Sequence, residues 1–217
     1  MNALFFFVFF VLLLEAGGRP ACPKNNVVIL RIRNPKIVEK AKREQKKLWN
    51  KTVEFGLYAQ PPKSLHLTLF VTTDVPDRKL DDAKRALRAA SQEMRRLVGA
   101  GGFRLTLKGV HEFRKGVLYF AVRRDPNGIQ KLHEIVEREF RKVGLPPKPG
   151  KRFHAHVTLV ALNADGAHLK KRWKIHHGVE IGTEHVEGDL ALELCEDCSR
   201  GWDPRTRDYT TNYKAKL

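Results

Sequence analysis

The sequence predicts an α+β fold of two similar lobes, and three observations carry that prediction. A short pattern occurs twice, as His66-Leu67-Thr68-Leu69 and as His156-Val157-Thr158-Leu159. Each copy closes a unit of the same length. His66 lies 39 residues after Val27, which opens an apolar run to Ile32, and His156 lies 39 residues after Val117, which opens a run to Val122. Between run and motif each unit carries helical periodicity, so strand, helix and motif strand occur twice in that order. Strands joined alternately by helices and hairpin-like turns fit an α+β layering with a cleft where the repeated strands meet.

Val27 to Ile32 reads as a strand. Asn34 and Pro35 then supply an N-cap and an N1 proline, predicting a helix to about Trp49 with Ile37, Val38, Ala41 and Leu48 buried. Ala59 to Lys63, with two prolines, forms a loop into the first motif strand, Ser64 to Val71. There Leu65, Leu67, Leu69 and Val71 alternate against His66, Thr68 and Phe70. Asp77 or Asp81 caps a second helix with the stripe Leu80, Ala83, Leu87, Ala90, Met94 and Leu97, stopped by Gly99, Gly101 and Gly102. Phe103 to Val110 and Val117 to Val122 read as strands of a hairpin joined through His111 to Gly116. Pro126-Asn127-Gly128 opens a third helix with Ile129, Leu132, Val136, Phe140 and Val143 on one side and Gly144 at its end. A turn from Pro146 to Gly150 leads into the second motif strand, Arg152 to Leu162. A short basic helix around His168 to Trp173, a strand from Leu190 to Leu194 and a partly mobile tail from Ser199 complete the expectation.

The first residues stand apart from this domain. Ala3 to Leu14 is an unbroken apolar stretch, too short for a membrane span of about 20 residues, and it is followed by Glu15 and the small residues Ala16, Gly17 and Gly18. This pattern predicts a secretory signal peptide over 1–18 and a secreted domain over 19–217, with no stable membrane span after cleavage. An uncleaved leader acting as an anchor is the alternative. The whole chain holds 41 Lys and Arg against 24 Asp and Glu. Cleavage removes Glu15 alone among these, so the mature net charge is 41 − 23 = +18. Such a field favours a polyanionic partner, here a short RNA or oligonucleotide, and no obligate protein partner is inferred.

In an oxidising compartment Cys22, Cys195 and Cys198 should form at least one bridge, with Cys22 to one of the other two preferred. Asn50-Lys51-Thr52 is a glycosylation sequon for an exported chain. One Cys-x-x-Cys without a second pair does not make a four-sulfur zinc site.

The motifs carry the chemistry. On a strand, residues two apart share a face, so each copy offers one imidazole beside one hydroxyl. Two imidazoles near neutral pKa can take a proton from an attacking hydroxyl and give one to a leaving oxygen, while Thr68 and Thr158 donate to phosphate oxygens. This scheme needs no cofactor and no metal. A site made of His154, His156 and His66 is the competing reading, because His-x-His on a strand puts both rings on one side. Lys63 and Arg152 flank the motifs and could steer phosphate, and Phe113, Phe153 or Tyr209 could stack a base. His111, His133, His168, His176, His177 and His185 read as surface or loop residues.

With Ser64-Leu65-His66-Leu67-Thr68-Leu69 and Phe153-His154-Ala155-His156-Val157-Thr158-Leu159, the chain resembles the 2H phosphoesterase superfamily, named for its two His-x-Thr/Ser elements. Within it, the chain is most similar to the phosphodiesterase-like central domain of A-kinase anchoring protein gamma isoforms, over roughly Asn26 to Tyr213. The resemblance implies a bilobal fold of two pseudo-symmetric, mainly antiparallel β-sheets with helices outside and a central cleft. It also implies metal-independent hydrolysis of RNA-type phosphodiesters: 2′,5′-linked oligoadenylate first, then related short oligonucleotides or 2′,3′-cyclic phosphates. The catalytic pairs fall on His66 with Thr68 and His156 with Thr158. Ala155, where relatives often carry Pro, and the extra imidazole of His154 depart from the pattern, as does the leader. A catalytically inactive secreted protein that binds nucleotide or RNA in the same cleft is the rival of a different class.

Overall fold

Local sequence signals set most element boundaries in the computed structural model, which describes residues 25–49, 59–73, 75–113, 116–150, 152–161, 182–186, 191–197, 202–203, 208–209 and 211–217. Strand β1 (Asn25–Arg31) leads into α1 (Pro35–Trp49), which starts where expected: Asn34 Oδ1 accepts the N–H of Lys36 at 2.9 Å and proline opens the helix. Ile37 and Ala41 are buried on α1, and so is Gln45, a polar residue on the apolar side.

After a 3-10 turn (Pro62–Ser64) comes β2 (His66–Thr72), then α2 (Leu80–Val98). Neither Asp77 nor Asp81 caps α2. Asp77 opens a separate 3-10 turn, Lys79 is the N-cap but makes no side-chain capping bond, and Asp81 and Asp82 sit in the first turn against the positive helix end. Ala83, Leu87, Ala90 and Met94 are buried as expected, but Leu97 is 56% exposed. The next step of the 3.6-residue repeat after Met94 falls on Val98, which packs on the core in its place. Gly99 ends the helix at φ +64°.

The hairpin of β3 (Phe103–Phe113) and β4 (Val117–Val122) forms, with β3 running past Val110. Asp125 Oδ1 accepts the N–H groups of Asn127 and Gly128 at 3.1 and 3.0 Å, which starts α3 (Ile129–Lys142). The second motif strand, β5 (His156–Ala161), is shorter than expected because residues 152–155 are irregular. Strands β6 (Gly182–Val186), β7 (Ala191–Asp197), β8 (Trp202–Asp203), β9 (Asp208–Tyr209) and β10 (Thr211–Lys216) follow. The tail expected to be partly mobile therefore supplies an edge strand: Ala215 and Leu217 are buried and Tyr213 packs on the core, while Lys214 between them is exposed. The leader, Cys22, Cys198, the sequon at Asn50 and the basic helix expected at 168–173 lie outside the described residues, as do the side chains of Leu48, Cys195 and Tyr209.

Eight strands form one antiparallel sheet in the order β10-β7-β1-β2-β5-β4-β3-β6, and β8 pairs with β9 separately. The α+β, mainly antiparallel expectation holds. The two expected sheets are the two halves of this one, joined where Leu67 of β2 pairs with Val157 of β5. The repeat explains the order: β1 lies beside β2 in one half as β4 lies beside β5 in the other. Helices α2 and α3 pack on each other and on the β10-β7-β1-β2 half, whereas α1 packs on β5 and β6. Each of α1 and α3 thus covers the half that the other repeat builds. Among the described residues no helix is long and apolar enough to cross a membrane.

Candidate active site

Both motif strands are bent at the same place. In the β1–β2 ladder Val28 pairs with Phe70 but Ile29 pairs with Thr68, so Leu69 is an extra residue. In the β4–β5 ladder Leu118 pairs with Val160 but Tyr119 pairs with Thr158, so Leu159 is extra. A bulge flips side-chain parity beyond it. This overturns the simple alternation expected along β2: Phe70 turns into the core, 5.0 Å from Phe140, and Val71 lies with Val27 and Ile29 on the other face.

Each bulge carbonyl is held from the other repeat's helix. Gln45 of α1 donates both Nε2 hydrogens, to Leu159 O at 2.9 Å and Gln60 O at 2.7 Å, and the Gln60 N–H bonds Leu159 O at 2.7 Å. His133 Nδ1 of α3 bonds Leu69 O at 2.8 Å. This corrects the surface position expected for His133. Its placement at the site, like that of Gln45, has one sequence signal: a polar residue at core-facing helical spacing.

The two histidines are fixed in the same way. His66 Nδ1 bonds Ser64 O at 2.8 Å, and His156 Nδ1 bonds His154 O at 2.6 Å. A carbonyl can only accept, so Nδ1 carries the proton in both rings and Nε2 is the basic nitrogen of the neutral imidazole. The turn behind His66 is braced in turn: Ser64 Oγ donates to Pro61 O at 3.0 Å, and Gln60 Nε2 donates to Ser64 Oγ at 2.7 Å.

The Leu67–Val157 pair buries both side chains in the core, so the motif residues share the opposite face. From that pair the antiparallel run sets His66 towards Thr158 and Thr68 towards His156, leaving the histidines diagonal neighbours about 7–8 Å apart, with their Cβ atoms somewhat closer. His66, Thr68 and His156 line a cleft of about 600 Å³, and Thr158 lies half-buried on the same face outside that lining. The cleft opens because the chain returning to β5 has surplus length. It meets β2 at Thr72–Pro147 and again at Leu67–Val157, so five steps of β2 face ten of the return segment. Arg152, Phe153 and His154 sit on the resulting arch, and Gln130, His133 and Glu137 of α3 line the cleft beneath it. Phe153 stacks on His133 at 4.0 Å with 10° between planes.

Aromatic rings wall the His156 side. Phe113 and Tyr119 stack at 4.1 Å, and His156 meets them edge-on at 5.0 and 5.4 Å. His154 lies beside the same two rings, and His111 stacks on Tyr119 at 5.8 Å, so His111 too belongs to this wall. Burial pushes the His156 imidazolium below its ordinary pKa and the charge of His154 adds to that, opposed by the bond to the His154 carbonyl; burial also pushes the Tyr119 phenol up. A His154→Ala variant keeps the carbonyl and removes the charge. The acidic limb of its kcat/KM profile should therefore move to higher pH if His156 acts as base, and an unmoved limb would show that His154 does not bear on it.

Sequence pattern alone does not single out Arg31. It is the register partner of His66 and is buried, which puts a guanidinium on the strand beside the first motif; the equivalent partner of His156 is Ala121. Of the other expected residues, Arg152 and Phe153 reach the cleft and Phe113 is a wall of His156. Lys63 is exposed on its turn, away from the lining. Among the described residues His154, His156 and His66 do not gather into a metal-holding group.

The model of one family, the AKAP7 2′5′ RNA ligase-like domain, matches residues 25–187, which spans both motifs and the arch between them. The chain belongs to that family. It is accordingly a 2H phosphoesterase, a hydrolase of the phosphodiesterase type. Solved structures share the fold: LigT of E. coli, complexed with 3′-AMP, superposes with a TM-score of 0.61 at 19% identity over 90% of this chain and 99% of its own. TT0787 of Thermus thermophilus does so with a TM-score of 0.60 at 20% identity over 88% and 97%. No curated protein matches the sequence.

Proposed function

We propose that the protein hydrolyses short RNA-type phosphodiesters without a metal, 2′,5′-linked oligoadenylate first and 2′,3′-cyclic phosphates or related oligonucleotides next. The observation that carries this reading is the matched clamping of both histidines, which turns two Nε2 atoms of the same tautomer towards one cleft. His156, whose imidazolium is held below its ordinary pKa, takes the proton of the attacking water or ribose hydroxyl, and His66 gives one to the leaving oxygen. The hydroxyls of Thr68 and Thr158 donate to the non-bridging oxygens, and the buried Arg31 lies on the side where negative charge grows. Phe153, backed by His133, offers a platform for a base, with Arg152 next to it.

The test is a panel of 2′,5′-linked, 3′,5′-linked and 2′,3′-cyclic substrates with products resolved by mass, with and without chelator. Turnover of the 2′,5′-linked members that chelator leaves unchanged is the expected result. Binding without turnover, or activity lost to chelator and restored by zinc, would overturn it. The apolar leader supports export as part of the same proposal, and a secreted product beginning at Arg19 is what mass measurement of the mature chain should find.

A further inference from the structure

Beyond the cleft, the two halves of the sheet differ in charge. On the His156 side the row across the strands runs from His156 to its partner Ala121 and then to β3, whose bulge between Leu107 and Val110 sets Lys108 in line with Ala121. Ala121 is small. Nothing larger than a methyl group projects from β4 between the imidazole and Lys108, two strands and roughly 10 Å away. Along β3, Phe103, Leu105 and Leu107 are buried in the core, so Arg104, Thr106 and Lys108 lie on the cleft face, where Arg104 and Lys108 are exposed. Exposed Arg123 continues β4 beside them, its N–H bonded to Thr106 O at 2.8 Å, and His185 of β6 is the register partner of Arg104. On the His66 side the same row runs from His66 to Arg31, which is buried. Elsewhere on β7 the register partners of Ile29 and Asn25 are Glu193 and Asp197, and Lys214 pairs with Glu193 from β10.

We propose that this basic row on β3 is a track for the backbone of a single-stranded RNA, which leaves the cleft over Ala121 and lies along Lys108 and Arg104. The proposal rests on the phosphodiesterase reading and extends it: the substrate is a strand with several phosphates on the His156 side of the scissile bond, not an isolated dinucleotide. Exposure and charge together set the direction: Arg104, Lys108 and Arg123 are exposed on the His156 side, whereas on the His66 side Arg31 is buried and β7 carries Glu193 and Asp197. Phosphate contacts of this kind position a strand without reading its sequence, so the track should accept any base order.

The experiment measures binding of the full chain to an uncleavable 2′,5′-linked dinucleotide with its 3′-hydroxyls methylated and to the matching decanucleotide over a range of salt. The decanucleotide should bind at least about tenfold tighter at low salt, and the advantage should fade as salt rises. An Arg104→Ala/Lys108→Ala variant should lose most of that advantage, lower the salt slope by about 1.4, roughly 0.7 for each phosphate contact removed, and leave the dinucleotide unaffected. Lys36→Ala/Lys46→Ala removes two exposed charges from α1, on the helix side, and should leave all three readings in place. Equal affinity for both lengths, a length advantage that survives the β3 variant, or an equal loss in the α1 variant would each overturn the track. Because the probes cannot be cleaved, a failure of turnover in the substrate panel leaves these readings standing, and the two proposals fail separately.

Discussion

Alanine at His66 or His156 is expected to lower kcat/KM at least about 10²-fold while substrate binding persists, since a positioned acid or base contributes roughly 10²–10⁴-fold. The two rings are supplied by different repeats, yet each donates its Nδ1–H to the carbonyl two residues upstream. Neither ring can replace the other, because one must start neutral and the other protonated. The double variant should therefore be little worse than either single one, as in other sites whose groups act as a unit. Unfolding midpoints are the control. His156 is partly exposed and its loss should leave the fold in place, so a fall in rate with an unchanged midpoint separates chemistry from collapse. Retention of most activity in either variant would remove the two-histidine mechanism.

The second large effect falls on stability. Leu67→Ala should cost about 2–5 kcal/mol in urea unfolding, the range for emptying a buried leucine site. Leu67 is fully buried and sits at the ladder pair that joins the two halves of the sheet. Its neighbours in sequence are His66 and Thr68, so the same cavity loosens the first motif, and kcat should fall along with the midpoint. Leu97→Ala, at an exposed site on α2, should stay within about 0.5 kcal/mol of the parent. Equal costs at the two positions would show that the seam between the halves has no special part in stability.

The parts of this molecule that repeat are the parts legible in its sequence. The 39-residue unit marks out β1, α1 and β2 and again β4, α3 and β5 in their order, because a strand, a helix and a motif strand each carry a periodicity of their own. What escapes are features whose signal is not local. The bulges at Leu69 and Leu159 add one residue to an apolar strand that still reads as an unbroken alternation, so the pattern puts Phe70 and Val71 on each other's faces. His133 and Gln45 look like polar residues on amphipathic helices, and their partners are carbonyls 64 and 114 residues away. Strand β10 carries a polar row because it lies at the edge of the sheet, and edge strands share that composition with mobile tails.

The crossed arrangement of helices has a consequence for how activity is lost. The bend of each motif strand is fastened from the opposite repeat, by Gln45 on Leu159 and by His133 on Leu69. Opening either half therefore releases an anchor of the other, and the two imidazoles go out of register together. Unfolding and inactivation should trace one curve, with no state in which a single motif survives intact.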